Sequence, residues 1–242
     1  MTRNPFVHLP ELEGHLTPVH ASGLRLTDEV LAEWDAQARC QGLPAHWRLP
    51  DCDVERSRRE VLAGLAAHED LWVFAYGSLV WNPGFHFDEV RRASLSGFAR
   101  RFALSTTIGR GTPDCPGLVL TLQSDASQCQ GLAFRIPAAL VETESRLLWR
   151  REMIHGSYCP VLLPLHTPQG TVQAVVLTAN TAHPHHCGDL SMQATAAIIA
   201  RACGRIGSNR EYLDQLVAQF GVLGIADDYV HALAGMVEAA SC

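Results

Sequence analysis

Hydrophobic positions along the chain follow two regimes. Up to about residue 70 they recur at helical spacing, and beyond it short apolar runs are separated by turn residues. Val30, Leu31, Trp34 and Ala38 define one helix face, with Thr27 or Asp28 as the cap and a stop near Gly42 and Pro44. A second helix is expected from about Val54 to His68, with Val61, Leu62 and Leu65 on one face. Pro44, Pro50 and the acidic turn Asp51-Cys52-Asp53 separate the two. From Leu71 the pattern changes. Leu71–Tyr76 is a short apolar run ending in Gly77-Ser78, the form of a buried strand entering a loop. Further strands are expected at Gly117–Leu122, Gln130–Ile136, Tyr158–Leu165 and Val172–Ala179, with Asp125–Gln128 as the turn between the first two.

A helix is expected from Ala138 to about Met153, opened by Pro137 and carrying Glu142 and Glu144 in its early turns. The C-terminal third reads as helices near 190–203, 208–220 and 227–240, punctuated by Gly204, Gly207, Gly221 and Gly224. Ser208 followed three residues later by Glu211 matches a capping box. These elements give an α+β protein, a closed or strongly curved mixed sheet with helices around it. They divide into a helical N-terminal extension, 1–70, without chemistry of its own, and a main domain, 71–242.

Composition narrows the function classes. Apolar residues make up 47% of the 242 and charged residues 18%, an ordinary globular balance. The formal net charge of −6 disfavours nucleic acid. Arg56, Arg58 and Arg59 sit among Glu55 and Glu60, and Arg91-Arg92 follow Asp88-Glu89, so both clusters read as solvated mixed-charge faces. The first residues lack the apolar run of a signal peptide, and windows such as Val172–Ala179 are far too short to span a bilayer. A cytoplasmic protein without a membrane segment is expected. The eight cysteines are scattered with no C-x-x-C pair, which reads as free thiols.

Five places carry candidate chemistry. The junction Tyr76-Gly77-Ser78-Leu79 would let a ligand approach the main chain, with successive N–H groups forming an anion-binding concavity; as an isolated motif it reads first as a plain turn. Glu152 falls near the end of a helix, where the dipole and the surrounding Leu148, Trp149, Met153 and Ile154 oppose its ionisation, as a general base that later acts as an acid requires. The bland alternative pairs it on the surface with Arg150 or Arg151. Arg110, in a Gly/Pro-dense loop to Gly117, either grips a substrate carboxylate or ties the loop to a backbone carbonyl. His183, His185, His186 and Cys187 lack zinc-ligand spacing and read as a polar loop near the site entrance, so no metal is expected. His155 and Cys159, four apart across Gly156, lack a third orienting group for a thiol nucleophile.

Taken in order, one set of motifs resembles the ChaC family of glutathione-specific γ-glutamylcyclotransferases. The set is Trp72-Val-Phe-Ala-Tyr-Gly-Ser-Leu-Val-Trp81-Asn-Pro, Arg100-Arg-Phe102, Arg110-Gly-Thr-Pro113 with Pro116-Gly117, Arg151-Glu152, Gly156-Ser-Tyr158, and Gly207-Ser-Asn-Arg-Glu-Tyr-Leu213. It covers about residues 71–220. The resemblance implies the small mixed β-barrel of that fold, Glu152 as acid/base, and a γ-glutamyl site formed by Val73, Phe74, Ala75, Tyr76, Gly77 and Ser78, with Leu79, Arg110 and Tyr158 beside it. It also implies a small-molecule substrate, glutathione, and no metal, nucleotide or redox cofactor. Ala75 stands where many relatives have glycine, and His155-Gly-Ser replaces a more glycine-rich approach to Tyr158. Residues 1–70 carry no family motif. The competing readings are a cyclotransferase for other γ-glutamyl amines, a catalytically silent glutathione-binding protein, and a cysteine hydrolase acting through Cys159.

Overall fold

A computed structural model describes residues 4–66 and 68–240. Five strands close into a barrel: β1 (Leu71–Ala75), β2 (Glu89–Thr106), β3 (Gly117–Ile136), β4 (Tyr158–Thr167) and β5 (Gly170–Ala179). Around the barrel the order is β1-β3-β2-β4-β5, and β5 returns to pair with β1 in parallel, whereas β1–β3, β2–β3 and β4–β5 are antiparallel. β1 therefore has a strand on both sides and protein on both faces. Its Leu71, Val73, Phe74 and Ala75 are fully buried, which is why it reads as one apolar run.

Two sequence expectations about the sheet are corrected. β2 was not anticipated, because Arg91-Arg92 and Arg100-Arg101 interrupt its apolar alternation. Partners in the fold hold those charges: Arg91 pairs with Glu89 of its own strand at 2.5 Å and lies over the Trp72 ring, while Arg92 reaches the distant Leu223 carbonyl and Arg100 the distant Asp227 at 2.7 Å. The expected turn at Asp125–Gln128 is instead a bulge inside one continuous strand. Ser96 pairs with Gln128 and Phe98 with Ser124, so Asp125–Ser127 stand opposite Gly97 alone. The local turn chemistry is nevertheless present, since the Ser127 N–H donates to Asp125 Oδ1 at 2.9 Å.

The helices are α1 (Asp28–Cys40), α2 (Asp51–Leu62), α3 (Val141–Glu152), α4 (Met192–Arg201), α5 (Asn209–Leu223) and α6 (Asp228–Ala239). Thr27 caps α1 by accepting from the Val30 N–H, and Ser208 with Glu211 completes both halves of the capping box on α5. α2 begins earlier than its apolar spacing suggests: Asp51 and Asp53, expected as a turn, form its first turn, where the helix dipole favours carboxylates. It also ends earlier, at Leu62. α3 starts through a short 3-10 turn after Pro137 and packs against α2, with Arg58 bonded to Ser145 Oγ at 2.9 Å and to Glu142. Residues near the N-terminus enter the same core: Leu9 and Leu12 are buried among the barrel residues. A second small cluster joins Leu26, Leu31 and Trp34 to Trp47, Ile108 and Ile154.

Gly131 shows how tightly the sheet is closed. A Cβ there would lie 2.2 Å from the Ala75 carbonyl oxygen and 3.0 Å from the Phe74 ring. Gly131→Ala should thus cost roughly 1–3 kcal/mol as overpacking, lowering Tm by about 2–12 °C for a chain of this size. A calorimetric scan checks this, and an unchanged Tm would contradict the register of β1 on β3.

Candidate active site

α3 carries the chemistry to its end. Its first turn holds Glu142 and Glu144 and its last holds Arg150 and Arg151, each charge matched to the helix dipole. Glu152, the final helical residue, is the exception: a carboxylate at the negative end. It is not the exposed glutamate of the bland alternative. Its side chain is 12% exposed, and Oε1 lies 2.8 Å from Arg151 Nε, yet that oxygen has no hydrogen-bond partner. The two nearby effects on its pKa oppose each other. Burial raises it and Arg151 lowers it, and burial prevails.

Arg151 is the hub that fixes the loop leaving β1. Its guanidinium donates to the Asn82 carbonyl at 2.7 Å, the Pro83 carbonyl at 3.2 Å and Ser78 Oγ at 2.9 Å, while Nε faces Glu152. One side chain therefore holds the Ser78–Asn82 loop in register with the carboxylate. Three tyrosines complete the floor. The Tyr76 hydroxyl donates to the Leu177 carbonyl at 2.6 Å and that of Tyr158 to the Leu120 carbonyl at 2.8 Å. Burial pushes all three phenols up, that of Tyr212 to about 12, and the charge of Glu152 adds to the rise, so each stays a neutral hydroxyl. Gly77 is closely approached here: a Cβ on it would lie 3.0 Å from the Tyr212 hydroxyl oxygen.

These residues surround a cavity of about 350 Å³ that includes Ser78, Arg151, Glu152, Tyr158 and Tyr212. A recess beside it, lined by Tyr76, Gly77, Ser78, Leu79 and Glu152, continues the space under the β1 loop. Of the expected site residues, Tyr76, Gly77, Ser78, Leu79, Glu152 and Tyr158 are thus brought together. Val73, Phe74 and Ala75 line neither space. Their side chains are buried in the barrel core, because the strand has protein on both faces. Arg110 fits the loop-tying reading. It ties its loop to α5 through the Ser208 carbonyl at 3.0 Å and through Glu211 and Gln215 at 3.3 Å, and it also lines the cavity with its buried Nε unbonded.

The His183–Cys187 loop abuts the cavity rim, the His185 ring lying 5.1 Å from that of cavity-lining His155. Among the described residues, no three His, Cys, Asp or Glu side chains are placed to hold a metal ion. Cys159 is exposed on β4 and is not among the cavity residues.

Sequence reasoning missed three contributors. Arg151 and Tyr212 belong to the quoted motifs, which was the available signal, but their roles depend on contacts with the β1 loop. The third is the N-terminal extension, which the sequence reads as without chemistry of its own and whose role it leaves open between covering the pocket, stabilising the barrel and contacting a partner. Thr17, Gly23, Leu24, Leu26 and Trp34 form part of the cavity wall. No spacing in residues 1–70 encodes that placement.

The barrel and site have counterparts among known structures. A crystal structure of a γ-glutamyl cyclotransferase specific to glutathione from yeast superposes with a TM-score of 0.65 at 25% identity, covering 70% of this chain and 96% of that one. Fold and cavity together define the class: a cyclotransferase-type barrel enzyme with a shielded carboxylate facing a small-molecule cavity. Within that class the chain belongs to the ChaC-like family, whose sequence profile, described as "ChaC-like protein", matches residues 71–240. The glutathione-specific γ-glutamylcyclotransferase of Escherichia coli strain K12 is 39% identical over 184 residues, covering 74% of this chain and 79% of that protein. The glutathione-specific γ-glutamylcyclotransferase 1 of Danio rerio is 35% identical, covering 63% of this chain and 80% of its own.

Proposed function

We propose that this protein cleaves glutathione to 5-oxoproline and cysteinylglycine, with Glu152 as the acid/base. The observation that carries the reading is the Glu152 carboxylate itself, shielded at the cavity floor with one oxygen free of hydrogen bonds. The relatives, glutathione-specific γ-glutamylcyclotransferases, supply the substrate class. In a γ-glutamyl peptide the substrate's own α-amine can reach its γ-carbonyl, so the nucleophile need not come from the protein. Holding the glutamyl chain folded makes that attack intramolecular, with a large effective molarity.

The steps balance without water or an oxidant. Glu152 takes a proton from the α-ammonium group; the amine nitrogen attacks the γ-carbonyl carbon, closing a five-membered ring. Backbone N–H groups of the Tyr76–Ser78 turn stabilise the oxyanion of the tetrahedral intermediate. As the intermediate collapses, the bond to the cysteinyl nitrogen breaks and Glu152 returns the first proton to it. The extra proton of the ring nitrogen passes by the same carboxylate to the departing amine, which leaves as an ammonium. Tyr158 and Tyr212 act as neutral hydroxyls in the pocket wall, and Arg151 positions Glu152 and the Ser78 loop. In this scheme the lyase reaction calls on no metal, nucleotide or redox group.

Residues 71–242 carry the chemistry in this reading and residues 1–70 extend it, in line with the span of the family match. A cytoplasmic setting is supported by the seven described cysteines, all of them free thiols, which suit a reducing compartment. No described helix is long and apolar enough to cross a membrane.

The test is incubation of purified protein with reduced glutathione and quantification of 5-oxoproline and cysteinylglycine in equal amounts; release of neither rejects the assignment. The pH profile is a second check. A base must be ionised, and burial raises the Glu152 pKa above the ordinary 4.5. The acidic limb of kcat/KM is therefore expected above pH 4.5, with activity rising as pH passes upward through it. A limb at or below that value would remove Glu152 from the role.

A further inference from the structure

We propose that segment 17–34 of the N-terminal extension forms the wall that receives the cysteinyl side chain of glutathione, with Leu24, Leu26 and Trp34 determining specificity. The proposal rests on the cyclotransferase reading above. It concerns residues outside the span matched by the family profile, 71–240.

The cavity has two distinguishable ends. Ser78, Glu152, Tyr158 and Tyr212 also border the recess beneath the β1 loop, so they mark the inner end. Trp34, Ile108 and Gly109 also border a second cavity of about 500 Å³ that shares no residue with the recess, so they mark the end away from it, the outer end. The scissile γ-carbonyl must meet Glu152 at the inner end. The γ-glutamyl body folds on itself there to bring its amine to that carbonyl. The leaving amine, with its cysteinyl side chain, then points toward the outer end, where Leu24, Leu26 and Trp34 face it.

The chemistry of that wall suits a thiol side chain. Leu26 and Trp34 are buried and Leu24 is partly buried, and they pack in one apolar cluster with Ile108 and Ile154. An uncharged cysteine side chain behaves as a small hydrophobe, so contact with this wall removes apolar surface from water on both partners. Strongly hydrated side chains would lose solvation against this apolar wall.

The wall is also held to the catalytic loop. The Thr17 N–H donates to the Trp81 carbonyl at 2.8 Å and the Ser22 hydroxyl to Asn82 Oδ1 at 2.7 Å. Arg25 is clamped on Glu144 of α3, and Arg150 of α3 ion-pairs with Asp28 at 2.7 Å. On the far side the Arg205 guanidinium lies over the Trp34 ring, 5.0 Å from its centroid. Segment 17–34 is thus fastened to the Ser78–Asn82 loop and to the helix that presents Glu152, which lets it set the width of the space between them.

Two peptides that differ only in that side chain test the wall: glutathione and γ-glutamylglycylglycine. kcat/KM is measured for both with the wild type, Leu24→Ala and Leu24→Gln. Leu24→Ala should lower the glutathione-to-glycyl ratio by about threefold to tenfold, the range expected for a lost contact with about one buried group. Leu24→Gln, which keeps the length but puts an amide in the wall, should lower it further. A ratio unchanged in both variants, whether through equal losses or none, overturns the wall while leaving the cyclotransferase reading intact. A wild type that cleaves neither peptide overturns both.

Discussion

Glu152→Gln should reduce kcat on glutathione by about 10²- to 10⁴-fold while substrate binding persists. Glutamine keeps the shape and one acceptor oxygen but cannot take the proton from the substrate ammonium or return it to the leaving amine. Product formation by the variant, with a calorimetric titration of glutathione into the inactive protein alongside, separates loss of chemistry from loss of binding. Near-normal turnover would reject the assignment.

The same variant has an expected effect on stability of opposite sign. Burial raises the pKa of Glu152 in the folded protein above that in the unfolded chain, so between the two values the folded state binds more protons. The contribution of this group to stability is fully present below the unfolded value and is lost as pH rises through the folded one. At neutral pH the wild type thus carries an unfavourable buried charge that glutamine removes. Tm of Glu152→Gln should exceed that of the wild type at pH 7 to 8, and the difference should close as pH falls toward about 4. A buried acid that costs stability and supplies rate is the usual signature of an active-site group.

The second large effect falls outside the catalytic residues. Arg25→Ala should destabilise the protein by about 3–5 kcal/mol, the cost of stranding one member of a buried ion pair. Glu144 is 2% exposed and Arg25 holds both of its oxygens, at 2.5 and 2.9 Å, while also donating to the Gly84 carbonyl at 3.0 Å. Without Arg25 the carboxylate keeps only the His86 N–H, at 3.2 Å. For a chain of this length the loss amounts to about 6–20 °C in Tm, readable by calorimetry. Arg25→Met with Glu144→Met should recover most of it, because apolar replacement of both partners leaves no orphaned charge. A small effect of Arg25→Ala would mean that water reaches the pair and that the strap formed by segment 17–34 is looser than its contacts indicate.

The sequence by itself determined the elements whose causes are local. The apolar run of β1, the Thr27 cap of α1, the Ser208–Glu211 capping box of α5 and the placement of Glu152 at a helix end all follow from a few neighbouring side chains. The ordered motifs from Trp72 to Leu213 carried the family resemblance, and with it the barrel. Tertiary structure decided what depends on distant partners. β2 was illegible because Arg92 and Arg100 find their partners, the Leu223 carbonyl and Asp227, 131 and 127 positions away, where no local window reaches. The segment Asp125–Gln128 has the local chemistry of a turn, and only its pairing with Gly97 makes it a bulge. The burial of Glu152 could be suspected from its apolar neighbours, but its unbonded oxygen, the hub formed by Arg151 and the approach of Tyr212 to Gly77 needed the closed barrel. The N-terminal wall lay furthest from view. Trp34 read only as part of a helix face, and Leu24 and Leu26 precede that helix; they reach the cavity because ion pairs and hydrogen bonds to α3 and the β1 loop, more than fifty positions further along the chain, fold the extension across it.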